Sequence, residues 1–176
     1  MSFERIGCEV VHQGRIATVR HERWREADGQ IVEREVVGHP GAVGIVATDD
    51  DSVWLVRQPR EAIGVPDLLE IPAGKLDEPG EAPIDTARRE LEEEIGQRAE
   101  HWEHLVTFHT SPGFTDESVA IYTATGLRDV PGFEPDPDER IEIVRWPRDR
   151  LAEAIEQTTD SKTLIALARL RERDRL

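Results

Sequence analysis

The chain has a single cysteine, Cys8, among 176 residues. With no second thiol it cannot bridge within the chain, so a disulfide framework and a multi-cysteine zinc site are both excluded, and it reads as a small buried or interface residue. No apolar run is long enough to span a bilayer. The opening Met1-Ser2-Phe3-Glu4-Arg5 carries charge where a signal peptide needs its apolar stretch, so a soluble, cytoplasmic protein is expected. Basic residues are also scarce: 22 Lys and Arg stand against 37 Asp and Glu, for a formal net charge of −15. A basic surface for nucleic acid or for an anionic membrane is thereby excluded, and an acidic protein that handles phosphates would need cations as intermediaries. The six histidines are scattered, with no pair at metal-ligand spacing inside a recognised motif.

What is present suits one domain with a small appendage. Residues 6–12, 15–25 and 31–38 are rich in Val and Ile with polar alternation, and Gly14 and Asp28-Gly29 supply turns between them. A three-stranded antiparallel meander is expected over 1–39. Such a sheet buries too little to stand alone and needs the main body, 40–176, or a second copy of the chain. Ala42–Thr48 and Ser52–Gln58, joined by Asp49-Asp50-Asp51, predict a hairpin in the core sheet, followed by a short extended piece at Leu68–Ile71. Pro83 suits the first turn of a helix running to Ile95, with Gly96 as its stop. Leu105–Thr110, Val119–Ala124 and Ile141–Trp146 predict later strands, and 148–157 and 160–173 predict two closing helices. Strands interrupted by one helix and finished by others imply a mixed α/β (α+β) architecture.

On the 83–95 helix, Ile84, Ala87, Leu91 and Ile95 fall three and four residues apart and form one apolar stripe. Glu90, Glu93 and Glu94 cluster on another face, while Glu92 points elsewhere and Arg89 can pair with Glu93 four residues on. Like charges at this spacing repel by roughly a few tenths of a kcal/mol per exposed pair. Something positive should therefore sit among them. A solvated helix laced with Arg–Glu pairs would meet that need; so would a hard divalent cation held by carboxylate oxygens.

The surrounding spacing resembles the box of the Nudix hydrolase family. Gly74 opens it, Glu81 is the first acid, and Arg89-Glu90-Leu91-Glu92-Glu93-Glu94-Ile95-Gly96 completes it after the family's seven-residue gap. The chain departs in two places: six residues rather than five separate Gly74 from Glu81, and Gln97 stands where an aliphatic residue is usual. Neither touches an implied ligand. The resemblance implies a Nudix fold, with a mixed β-sheet core between helices after the N-terminal antiparallel sheet. It also implies two or three Mg²⁺ or Mn²⁺ ions held by Glu90, Glu93, Glu94 and the Ala73 carbonyl, with Glu81 bracing the loop or Arg89. Bound there, such ions neutralise a diphosphate and lower the pKa of an attacking water.

Ser111-Pro112-Gly113-Phe114-Thr115-Asp116-Glu117 is similar to a segment of the ADP-ribose pyrophosphatases, in which a proline lies about sixteen residues past the box; Pro112 is sixteen past Gly96. A plain turn between strands would use Pro-Gly equally well. Leu69-Glu70-Ile71-Pro72-Ala73-Gly74 and Arg57-Gln58-Pro59-Arg60 resemble the same subfamily. Arg57 and Arg60 suit phosphate or ribose contacts, or ordinary ion pairs. Glu70 could accept from ribose hydroxyls or the adenine amino group, or could pair with one of these arginines. The resemblance implies an aromatic residue of the N-terminal sheet against adenine, often from the other subunit of a homodimer. Trp24 is the available residue there, although it could equally serve packing. For the catalytic base the resemblance points to the acidic stretch 134–141, with Glu139 preferred and Asp138, Glu134 and the box residue Glu93 as rivals. The expected reaction is ADP-ribose plus water giving AMP and ribose 5-phosphate. Another nucleoside diphosphate sugar such as GDP-mannose, a dinucleotide, or a non-catalytic nucleotide sensor are the alternatives.

Overall fold

The computed structural model describes residues 2–134 and 140–174. Its strands are β1 (Phe3–Gln13), β2 (Thr18–Glu26), β3 (Ile31–Gly38), β4 (Ala42–Thr48), β5 (Ser52–Arg60), β6 (Val65–Glu70), β7 (Ala73–Lys75), β8 (Gln97–His109), β9 (Ser118–Asp129) and β10 (Glu142–Pro147). The helices are α1 (Pro83–Ile95), α2 (Leu151–Gln157) and α3 (Ser161–Arg173). The chain divides into two compact units, Met1–Gly41 with Phe108–Ser118, and Ala42–Thr107 with Val119–Leu176.

The first unit holds the expected antiparallel meander in the order β1-β2-β3. β1 runs further than the Val and Ile runs suggested, because ladder pairing continues through Phe3↔Glu26 and Glu4↔Arg25, whereas β2 starts at Thr18 rather than at residue 15 and β3 keeps its expected bounds. Cys8, expected to be buried or at an interface, is exposed on β1. Segment 111–116 docks on β3: Val37 N donates to Phe114 O at 2.7 Å, and the Thr115 hydroxyl donates to Val37 O at 2.8 Å.

The second unit is built on a seven-stranded mixed sheet in the order β10-β5-β4-β9-β8, with β6 beside β5 and β7 beside β4. β4 and β9 run parallel; β4 is antiparallel to β5 and β7. Alternation along β4 sends Val43, Ile45 and Ala47 to one face, where they pack with Val56, Ala124 and the α1 stripe Ala87, Leu91 and Ile95. The hairpin at Asp49 forms as expected, its carboxylate accepting from the Asp51 and Ser52 amides. β8 begins at Gln97 rather than near Leu105. Only Ala99 and Trp102 in its first half pack on the core cluster, so a largely polar strand carries no hydrophobic run to announce it. The segment expected to be helical from 148 opens instead with a 3₁₀ turn at Arg148–Arg150.

α1 occupies its expected range. Pro83 sits in its first turn and Gly96 ends it at φ 64°, where the Gly96 N–H reaches the carbonyls of Glu92 and Leu91. Glycine is required there twice over: the left-handed φ disfavours a Cβ, and a Cβ would also fall 2.4 Å from the Phe133 ring. α3 is capped by Asp160, whose carboxylate accepts from Thr163 N at 2.9 Å. Among the described residues no helix is long and apolar enough to cross a membrane.

Candidate active site

The loop that opens the acidic motif meets the helix that closes it at Ala73 and Gly74. Gly74 lies in β7 opposite Val43, and an added Cβ would stand 2.0 Å from Glu90 Cδ. The missing side chain is thus the seat of the Glu90 carboxylate. One residue earlier, Ala73 N donates to Glu94 Oε2 at 3.0 Å. Glu90 and Glu94 are therefore both held against residues 73–74, four positions apart on α1, and Glu94 is only 7% exposed.

Arg89 supplies the positive charge that the glutamates demanded. Its Nη1 donates to Glu90 at 2.9 Å and to Glu93 at 2.8 Å, and its other nitrogens reach Glu81 at 3.3 and 3.4 Å. Thr86 donates to Glu81 at 2.8 Å. The hydrogen bonds from Arg89 and Thr86 hold the Glu81 carboxyl below the usual carboxylate range, while Glu81 and Glu93 push Arg89 further above its ordinary value. Glu81 thus braces Arg89, as expected, and Glu92 turns away to Arg98 at 2.8 Å.

Among the described residues no three His, Cys, Asp or Glu side chains are grouped as ligands of one ion. Arg89 pairs with Glu81, Glu90 and Glu93, while Glu94 accepts from the Ala73 amide. Carboxylate oxygens are the donors that a hard divalent cation prefers, and those of Glu90 and Glu94 lie against Gly74 and the Ala73 amide.

Arg60 and Glu70 stand together. Arg60 grips Glu70 with Nε on Oε1 at 2.5 Å and Nη2 on Oε2 at 2.9 Å, and Lys162 also donates to Oε2. Burial alone would raise the Glu70 pKa; the Arg60 hydrogen bonds and the Lys162 charge outweigh it and hold Glu70 below the usual range. With both oxygens engaged and the side chain 1% exposed, Glu70 takes the arginine-pairing role rather than a ribose-accepting one. Arg57 is spent on Asp67 O at 3.1 Å and Gln157 Oε1 at 3.0 Å. The bond from Lys162 could not be read from the sequence because its partner lies 92 residues away.

In the first unit, Trp24 and Pro112 line one cleft of about 530 Å³, together with Phe3, Phe114 and Arg20. Phe3 meets Trp24 edge-on with ring centroids 5.3 Å apart. Arg20 bridges Glu22 at 3.1 Å and Asp116 at 2.6 Å, and Asp116 also caps His39 N at 2.9 Å. Burial works to raise the Asp116 pKa, but Arg20 and the His39 amide lower it overall. The sequence pointed to Trp24 and Pro112 separately. Phe3 and Arg20 joined them only through pairing across β1, β2 and segment 111–116. Glu139 and Asp138 lie outside the described residues; Glu134 is exposed.

The NUDIX domain model matches residues 38–167, which span the whole loop-and-helix motif. The chain belongs to the Nudix family. An ADP-ribose pyrophosphatase of Mycobacterium tuberculosis is 48% identical over 145 residues, covering 82% of this chain and 70% of that protein. One from Bacillus subtilis is 36% identical over 175 residues, covering 97% and 94%. A crystal structure described as an ADP compounds hydrolase superposes with a TM-score of 0.82 at 26% identity, covering 98% of this chain and 94% of that one. Relatives named for other nucleotide substrates match as well. The mixed sheet with its acidic helix is thus a Nudix fold, and the chain is a Nudix hydrolase, of a family that generally needs divalent metal ions.

Proposed function

We propose that this Nudix hydrolase cleaves the diphosphate of ADP-ribose, adding water to give AMP and ribose 5-phosphate. The observation that carries the reading is the joint seating of Glu90 and Glu94, two of the three implied glutamate ligands, against Ala73 and Gly74. Relatives named for ADP-ribose at 48% and 36% identity support the substrate.

In this reading Glu90, Glu93, Glu94 and the Ala73 carbonyl hold two or three Mg²⁺ or Mn²⁺ ions. When bound, the ions supply charge neutralisation at the diphosphate and an activated water. Glu81 fixes Arg89, which in turn fixes Glu90 and Glu93, so the carboxylates enter the reaction already oriented. Glu139 takes the proton from the attacking water, with Glu93 as its rival. Trp24 offers a face to adenine in the cleft that Pro112 helps to close. Arg57 and Arg60 address phosphate or ribose through guanidinium donors beyond those already engaged. The exposed Phe3, Val10, Val11, Ile16 and Ile31 of the N-terminal segment support a homodimer formed through that sheet.

Incubation with ADP-ribose and Mg²⁺ in heavy-oxygen water tests the reading, with AMP and ribose 5-phosphate expected and label in one of the two phosphates. GDP-mannose and a dinucleotide run alongside give the substrate order. Binding of ADP-ribose without AMP formation would refute the reading in favour of a nucleotide sensor. Sedimentation of the intact chain tests the dimer.

A further inference from the structure

Residues 69–73 carry the Ala73 carbonyl, and the backbone there is anchored in an unusual way. Leu69 and Glu70 belong to the β6 ladder on β5, and Ala73 belongs to the β7 ladder on β4. Ile71 and Pro72 lie in neither. Proline has no N–H to offer, and Pro72 O accepts from Ile45 N at 2.8 Å. The Ile71 N–H, in a fully buried residue, donates to the side-chain hydroxyl of Thr163 at 2.9 Å, across 92 positions of sequence.

That hydroxyl is itself oriented. Its proton goes to Asp160 Oδ2 at 2.6 Å, which leaves the oxygen lone pairs for Ile71. Asp160 is in turn fixed by capping α3 through Thr163 N. A second arm leaves the same helical turn: Lys162 bridges Asp160 at 3.0 Å and donates to Glu70. The first turn of α3 therefore grips two consecutive residues, Glu70 by its side chain and Ile71 by its backbone. From Ile71 only Pro72, with φ fixed by its ring, intervenes before Ala73.

We infer that the N-terminal turn of α3, through Thr163 and Lys162, is a positioning element for the metal site, setting where the Ala73 carbonyl points and where Ala73 N meets Glu94. This rests on the reading above that Ala73 O is a ligand. Groups behind metal ligands commonly change metal affinity or activity by about 10–100-fold when removed. Thr158 provides a matched comparison. Its buried hydroxyl donates to Leu69 O at 2.7 Å and accepts from Asp160 N at 3.1 Å, but Leu69 is already held in the β6 ladder and lies further from Ala73, and Asp160 keeps its carboxylate bonds to Thr163 without it.

The test is Mn²⁺ titration of the intact chain without nucleotide, followed by the electron paramagnetic resonance of free Mn²⁺, with metal-free melting temperatures recorded beside it. Thr163→Val should weaken Mn²⁺ binding by about tenfold or more, and Thr163→Ser should restore it. Thr158→Val should lower the melting temperature while leaving affinity within about threefold. Lys162→Met leaves the Arg60–Glu70 pair and the α3 cap in place, so it reports even if Thr163→Val does not fold; at least about threefold weaker binding is expected. Wild-type affinity in Thr163→Val and Lys162→Met, or equal weakening in Thr158→Val, overturns the inference. Failure of the wild type to bind Mn²⁺, or undiminished binding by Glu90→Gln, overturns the ligand assignment beneath it instead.

Discussion

Replacing Gly74 by alanine should silence the enzyme while leaving it folded. The backbone accepts the change, since Gly74 is not in the left-handed region. The new methyl would lie 2.0 Å from Glu90 Cδ, whereas carbon atoms in contact sit about 3.5–4.0 Å apart. The Glu90 carboxylate must then retreat by roughly 1.5 Å or more. Two effects on stability oppose one another. A glycine-to-alanine change at a compatible site gains about 0.4–1 kcal/mol by restricting the unfolded chain. Loss of the part-buried Arg89–Glu90 hydrogen bond costs about 1 kcal/mol. At about 2–4 °C per kcal/mol for a chain of this size, the melting temperature should move by no more than about 4 °C. Catalysis has no such compensation, because a displacement of about 1 Å can cost 100-fold, or about 2.7 kcal/mol of barrier. Initial rates of AMP release from ADP-ribose, with melting followed by circular dichroism, give both quantities. A kcat/KM within threefold of wild type would refute the seat; so would a melting temperature that collapses together with activity.

Glu139→Gln should lower turnover by about 10²–10⁴-fold with Mn²⁺ binding nearly intact, and unchanged turnover removes Glu139 from the mechanism. Glu70→Gln should destabilise the chain by roughly 2–3 kcal/mol, the usual cost of breaking a buried pair discounted because Arg60 is 41% exposed; chemical denaturation measures it. Because Glu70 is held below the ordinary glutamate value of about 4.3, its contribution is complete above that pH and fades as pH falls through its own lower pKa. Glu70→Gln should therefore flatten the acid limb of the stability profile, and identical limbs would contradict the assignment. Trp24→Ala should raise KM for ADP-ribose by about 3–10-fold, with kcat little changed; an unaltered KM would place adenine elsewhere.

The parts of the site that were legible in the sequence are local. The Nudix spacing, the α1 stripe and the Gly96 stop all follow from residues within one helix and the loop before it. The Arg89–Glu93 pair was likewise visible, since four positions bring those side chains onto neighbouring turns, while the resemblance left Glu81 to brace either the loop or Arg89. What escaped was held by distant partners. Pairing of Glu70 with Arg57 or Arg60 was one of the readings open in the sequence, but Lys162 completes the charge balance from α3. Thr163 gave no signal, because a threonine in the first turn of a helix looks like ordinary capping until Ile71 is found without a ladder partner. The first half of β8 was missed because its pairing is made by backbone while its side chains are mostly polar. Of the two readings of Cys8, burial within the chain failed because the open face of β1 provides no interior, which leaves the interface reading.

The order in which the sheet can close has a consequence for synthesis. β4, an almost wholly buried strand of Ala, Val, Gly and Ile, finds β5 and β7 soon after it emerges, but its parallel partner β9 does not begin until Ser118. At roughly 5–20 residues per second on the ribosome, one edge of the most aggregation-prone strand waits for seconds with its hydrogen-bonding groups unmatched. Chains interrupted before Ser118 should pellet on centrifugation, and a fragment that stayed dispersed would mean that β4 can be shielded without β9. The parallel pairing that centres the Nudix sheet is also the step at which a nascent chain is most exposed to its neighbours.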